Sequence, residues 1–371
     1  MIPIEQAHLD VAAITHEGMS GKNNEDYYGI SAYTLGEDTP TPVVFAIVAD
    51  GIGGHQAGEV ASEIAVETIS AAIAESGTNN PVSTLRDAIV QASQRIHSQS
   101  AQLESMRGMG STCACAWIID DQLYTASVGD SRIYLIRDEL IQQISTDHTW
   151  IQEALSYGII KPEQVKGHPQ AHVIRRYLGS NQPPEVDFRL RLHLKDDDQR
   201  ALQRQGSKLL PGDQLILCSD GLTDLVSDDE IKLTMENNHA EAALQHLVDL
   251  ANQRGGHDNI TIISLQYPRN NAHPQTVKKN RMPLYGLAGA TLALITIGVL
   301  SALAFFAWKM TRPQITATPT SSAVPIMEII TPPPETASVT QSAPPTTTAT
   351  ITLQSAQASY TPWPTSTRAA P

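Results

Sequence analysis

The 371-residue sequence predicts an α+β domain of antiparallel sheets covered by helices, followed by one transmembrane helix and a disordered tail. Three observations carry this. Apolar runs of strand character come first, then two helical stretches, more strands, a helix and a final strand, which is not regular βαβ alternation. Residues 284–308 hold 25 consecutive uncharged positions. After Arg312, 59 residues contain 11 of the 23 prolines and 14 threonines but only three charges. With 41% hydrophobic residues, the chain is neither collagen-like nor wholly disordered.

Residues 11–15 open the strand series, and 43–49, VVFAIVA, form the continuous apolar run of a strand buried on both faces. Ala61, Ile64, Ala65, Ile69, Ala72 and Ile73 recur at helical spacing. Leu85, Ala88, Ile89, Ala92 and Ile96 repeat the pattern after a candidate cap at Ser83. Strands resume at Cys113–Ile119, 123–128, 133–137 and Gln214–Cys218. The amphipathic stretch Ala240–Gln253 then precedes a last strand, Ile260–Gln266. These elements place the folded domain in residues 1–267, which carry 18 basic against 37 acidic residues, a net charge of −19. That balance excludes nucleic acid as a partner held by broad electrostatic attraction. Cys113, Cys115 and Cys218 are odd in number and lie in apolar runs, which predicts buried free thiols and a reducing compartment.

As a helix, 284–308 would be about 37 Å long, enough to cross a bilayer, and it lacks the polar face of a core helix. The linker before it, 268–283, carries Arg269, Lys278, Lys279 and Arg281, whereas only Lys309 and Arg312 follow closely. The basic side faces the cytoplasm. The expected location is therefore the cell membrane, single-pass, with the N-terminal domain cytoplasmic and the Thr/Pro-rich tail, 309–371, extracytoplasmic. Residues 1–10 show no signal-peptide pattern, so the span would also direct insertion. The tail cannot bury enough apolar surface to order itself and reads as a stalk, with spacer and wall-associating roles both open.

Acidic residues cluster at strand ends beside glycines or turns. Asp50 closes the VVFAIVA run and is followed by Gly51; Asp130 lies in Gly129-Asp130-Ser131-Arg132; Asp220 precedes Gly221; Asp258 precedes the last strand; Glu25 and Asp26 follow Asn23-Asn24. Singly, each reads as a turn residue. If the ends converge, the carboxylates repel unless cations lie between them, and a set without clustered Cys or paired His ligands suits Mg²⁺ or Mn²⁺.

At these residues the sequence resembles the metal-dependent Ser/Thr protein phosphatases, the PPM or type 2C family in its bacterial form. The pieces, in family order, are Asn24-Glu25-Asp26, Asp50-Gly51-Ile52-Gly53-Gly54-His55, Gly110-Ser111-Thr112, Val128-Gly129-Asp130-Ser131-Arg132, Thr146-Asp147-His148, Ser219-Asp220-Gly221-Leu222 and Asp258-Asn259-Ile260-Thr261. The resemblance implies a four-layer α-β-β-α sandwich of two antiparallel sheets with two or three Mn²⁺ or Mg²⁺ ions at one edge. It implies that Asp50 bridges two ions, that the Gly51 carbonyl, Asp220 and Asp258 serve the first, and that Glu25 serves the second. By the same resemblance Asp26 would act through metal-bound water, and Asp130 would share a third ion with Asp220. The activity the resemblance implies is hydrolysis of phosphoserine or phosphothreonine in protein substrates by a metal-bridging water, reversing a cognate Ser/Thr kinase. His55 is a candidate proton donor to the leaving alkoxide, with a loop-orienting or helix-capping role equally open. His148 and His257 read as structural. A variable flap is expected around 150–176.

Two departures stand out. Where many relatives carry a phosphate-binding arginine, this chain has Gly21 followed by Lys22, a point charge without arginine's bidentate fork. The charged stretch 195–208 reads as an inserted solvated loop or short helix. The missing arginine keeps a rival in play, a catalytically weak PPM-like module that binds phosphoproteins for signalling. A tail-sensing receptor is a third reading.

Overall fold

The apolar run 43–49 lies in a 12-residue strand and is completely buried. Val43, Phe45, Ile47 and Ala49 pack into a core shared with helices, while Val44, Ala46 and Val48 join a core shared with a second sheet. This period-two division of one strand between two cores sets the layers of the molecule. The computed structural model describes residues 1–269 apart from 37–39, 54–55, 166 and 194. The expected span at 284–308 and the tail lie outside the described residues, as do all but the first two residues of the linker. Among the described residues no helix is long and apolar enough to cross a membrane.

In chain order the strands are β1 (Ile2–Pro3), β2 (Asp10–His16), β3 (Asp26–Leu35), β4 (Thr41–Ile52), β5 (Gly110–Ser111), β6 (Cys113–Ile119), β7 (Gln122–Val128), β8 (Arg132–Arg137), β9 (Leu140–Gln143), β10 (Ser207–Lys208), β11 (Gln214–Cys218) and β12 (Ile260–Gln266). The helices are α1 (Gln56–Glu75), α2 (Pro81–Gln102), α3 (Trp150–Ser156), α4 (Asp198–Gln203), α5 (Asp220–Thr223), α6 (Asp228–Asn237) and α7 (Ala240–Gln253). One sheet runs β1-β3-β4-β6-β7-β10, with β5 on the end of β4; the other runs β2-β12-β11-β8-β9. The pairings within both are antiparallel.

Three cores hold the layers together. Ile69, Ile73, Leu85 and Ile89 of α1 and α2 meet Phe45 and Trp117 of the first sheet. Val44, Ile118, Leu217 and Ile263 fill the space between the sheets. Ile216 and Ile262 meet Leu222, Leu244 and Leu247 on the far side. The order is α-β-β-α, as the resemblance implies, and the three cysteines are free and buried.

Two local expectations change. The second helix begins before Ser83: Asn80 is its cap, accepting from the Ser83 backbone N–H at 3.3 Å, and Pro81 fills the first turn. The stretch 195–208 is only partly a solvated insertion. Asp197 caps α4, Ala201 is buried, and β10 adds an edge strand against β7.

Candidate metal centre

Strand pairing brings the first two carboxylates together. Asp26 opens β3, Asp50 lies near the end of β4, and the two are direct cross-strand partners. Asp220 starts α5 immediately after β11, Asp258 lies two residues before β12, and Asp130 sits in the turn from β7 to β8. Hydrogen bonds join these ends across the sheets. Ser219 donates its hydroxyl to Asp26 Oδ2 at 2.7 Å, and the Glu25 N–H donates to Asn259 Oδ1 at 2.8 Å. Asn259 in turn donates to the carbonyls of Glu17 and Asn23, both at 3.1 Å.

The electrostatics record one pocket. Burial raises the Asp50 carboxyl well above its ordinary range, and the negative charges of Asp26, Asp220, Asp130 and Asp258 push it further. Asp220 is raised well above its range by burial and then by Asp130, Asp224, Asp258 and Asp26. Burial, with Asp147 next, lifts Asp130 to about 7. Burial, with Asp258 next, lifts Glu25 to about 7, and burial lifts Asp26 to about 6 against hydrogen bonds from Ser219 and Thr261. Four buried carboxylate oxygens, Glu25 Oε1, Asp26 Oδ1, Asp130 Oδ1 and Asp220 Oδ1, have no hydrogen-bond partner among the described residues. Buried polar atoms are nearly always paired, so this concentration needs a positive partner. An all-oxygen donor set around converging charge fits hard divalent cations.

The frame around the carboxylates is tight. A Cβ on Gly51 would lie 2.1 Å from the Gly58 carbonyl oxygen and 2.6 Å from that of Glu25, so only glycine fits beside Asp50. Thr112 receives the Asp50 N–H on its hydroxyl at 2.9 Å and donates its own N–H to the Asp50 carbonyl at 2.8 Å. Buried His148 accepts the Gly129 N–H at Nδ1, 3.0 Å, so its proton lies on Nε2, which donates to Asp187 at 3.2 Å. His148 therefore holds the turn that carries Asp130. Arg132 grips Asp147 through Nε and Nη2.

The other candidates fall as follows. Lys22 is exposed, and its charge lowers the proton affinity of Glu25, which places it at the rim. Gly21 adopts φ +72°, and a Cβ there would meet nothing within 4 Å, so the position has room for an arginine but would strain its backbone. His55 lies outside the described residues. Two further residues stand out only in the structure. His172 and Asp224 join Asp220 in a group whose ligand atoms lie within 4.8 Å of one another. Asp224 is one helical turn beyond Asp220, a spacing visible in the sequence; nothing there brings His172 to it.

Comparison with known proteins agrees with this geometry. Residues 16–255 match the family described as Protein phosphatase 2C. The chain is 34% identical over 260 residues to Protein phosphatase PhpP of Streptococcus pneumoniae, covering 68% of this chain and 96% of that protein. It is 33% identical over 260 residues to Serine/threonine protein phosphatase PstP of Mycobacterium tuberculosis, covering 69% of this chain and 44% of that one. The crystal structure of that organism's PstP/Ppp superposes with a TM-score of 0.58 at 30% identity, covering 70% of this chain and 99% of it. A PstP catalytic domain solved with two manganese ions gives 0.55 at 29% identity, covering 70% and 97%. The chain thus belongs to the protein phosphatase 2C family and is a metal-dependent phosphoprotein phosphatase.

Proposed function

We propose that this protein is a membrane-anchored phosphatase that removes phosphate from phosphoserine and phosphothreonine in proteins, in balance with a cognate Ser/Thr kinase. The observation that carries the chemistry is the set of four buried carboxylate oxygens on Glu25, Asp26, Asp130 and Asp220 that have no hydrogen-bond partner among the described residues. Asp50, the Gly51 carbonyl, Asp220, Asp258 and Glu25 would hold two Mn²⁺ or Mg²⁺ ions, with Asp26 in support, and Asp130 and Asp220 a third. Bound there, the cations supply an activated water and neutralise charge on the phosphoryl oxygens. The chain's own task is to hold like charges close without letting them relax apart. The Asp26–Ser219 and Glu25–Asn259 bonds do this between sheets, and Thr112 fixes the backbone of Asp50. Lys22 at the rim orients the substrate phosphate as a point charge. His55 donates the proton that the leaving alkoxide takes up.

The full-length protein is expected to release phosphate from a phosphothreonine peptide with Mn²⁺, and to lose this activity to background with EDTA or in Asp50→Asn. Activity that survives Asp50→Asn would overturn the metal role. Peptide binding without turnover in the Mn²⁺-loaded wild type would favour the catalytically weak binding module, which the absence of an arginine at position 21 motivates. Membrane anchoring rests on the uncharged run 284–308 and its basic N-terminal flank.

A further inference from the structure

We infer that His172 and Asp224, together with Asp220, form a cation site that ties the 150–176 segment to the metal centre by an imidazole ligand. The inference deepens the metal-centre reading above and rests on it. His172 Nδ1 lies 3.1 Å from Asp224 Oδ2. The ligand atoms of all three residues lie within 4.8 Å of one another, close to twice an ordinary metal–ligand bond. Asp224 donates its backbone N–H to the Asp220 carbonyl at 2.8 Å, so both carboxylates project from the same short turn.

A second observation points inward to the same place. Asp130 is only 5% exposed, its Oδ1 has no partner among the described residues, and its charge is the chief charged neighbour acting on Asp220. Asp220 Oδ1 is likewise buried and unpartnered. Arg132, a fixed positive charge near Asp224, is already committed to Asp147 through Nε and Nη2.

The backbone explains why His172 is well placed. Immediately after it the chain is pinned: Trp150 N–H donates to the Val173 carbonyl at 2.9 Å, and Arg175 N–H donates to the His148 carbonyl at 2.7 Å. His148 also holds the turn bearing Asp130. An ion between His172 and Asp220 therefore closes a circuit from that segment to the turn through covalent and hydrogen-bonded links. An imidazole nitrogen beside carboxylates suits a first-row transition ion better than Mg²⁺. Mn²⁺ should engage His172, whereas Mg²⁺ fills only the carboxylate positions.

The test is pulsed electron paramagnetic resonance on the full-length protein saturated with Mn²⁺. A directly bound imidazole gives ¹⁴N modulation that carboxylate and water ligands do not. The wild type should show it; His172→Ala should lose it and bind its weakest Mn²⁺ roughly tenfold less tightly; His257→Ala should keep it. His172 is largely exposed, so its replacement leaves the core intact. Mn²⁺ bound without ¹⁴N modulation in the wild type would reduce the pair to a surface His–Asp contact and overturn the inference alone. Modulation that survives His172→Ala would overturn it in favour of another imidazole. Failure of Mn²⁺ to bind at all would overturn the metal-centre reading as well.

Discussion

At the scale of single residues, the centre is a stability cost that cations offset. Asp26 and Asp50 face each other across β3 and β4, where like charges directly opposite are unfavourable. Glu25 and Asp130 at about 7 and Asp26 at about 6 bind protons more readily folded than unfolded. Their contribution to the metal-free fold is full below the unfolded-state pKa values of 3.8 and 4.5 and is lost as pH rises through about 7. In EDTA, the melting temperature should fall between pH 5 and pH 8 by on the order of 5–10 °C, and saturating Mn²⁺ should remove most of that fall. A flat profile in EDTA would mean that the carboxylates do not share a pocket. Much of this set was legible in sequence because each carboxylate lies at or beside one end of a strand-like run, and such runs fix where strands start and stop. His172 was not, because it meets Asp224 through the path of a loop rather than any spacing, and Asp224 reads as an ordinary helical acid.

At the scale of elements, His148 is a junction. Its backbone N–H donates to the Gly129 carbonyl at 2.9 Å, its ring accepts from Gly129 and donates to Asp187, and its carbonyl receives Arg175. Asp187 is pushed up by burial but held well below its ordinary range by hydrogen bonds from His148 and Arg189, so it is the ionised anchor of the group. Asp187→Asn should cost about 1–3 kcal/mol in a denaturant melt and weaken Mn²⁺ binding at the Asp130 position, measured by calorimetry. Unchanged stability would show that the anchor is dispensable. Sequence reasoning located β6, β11, β12 and α7 at their observed bounds because unbroken apolar or periodic runs define them. It placed the start of α2 late, since Asn80 and Pro81 signal it only as a pair, and it missed β10, whose two polar residues carry no strand signature.

At the scale of the whole molecule, the proposed membrane localisation rests on the uncharged run 284–308. Deletion of 284–308 should move the protein from the membrane fraction to the soluble fraction after cell lysis while leaving Mn²⁺-dependent turnover of a phosphopeptide within about twofold. Retention in the membrane fraction would refute the anchor. The three cores described above are built from residues 1–267, which is why turnover is expected to survive the deletion. The two sheets meet at the centre through bonds such as that from Glu25 to Asn259, which lie 234 residues apart in the chain. Neither half can assemble the ion set alone. A ribosome that has not yet reached Asp258 carries an inert nascent chain, and at roughly 5–20 residues per second the enzyme gains its first full ligand set only about 10–40 s after Asp50 has been synthesised.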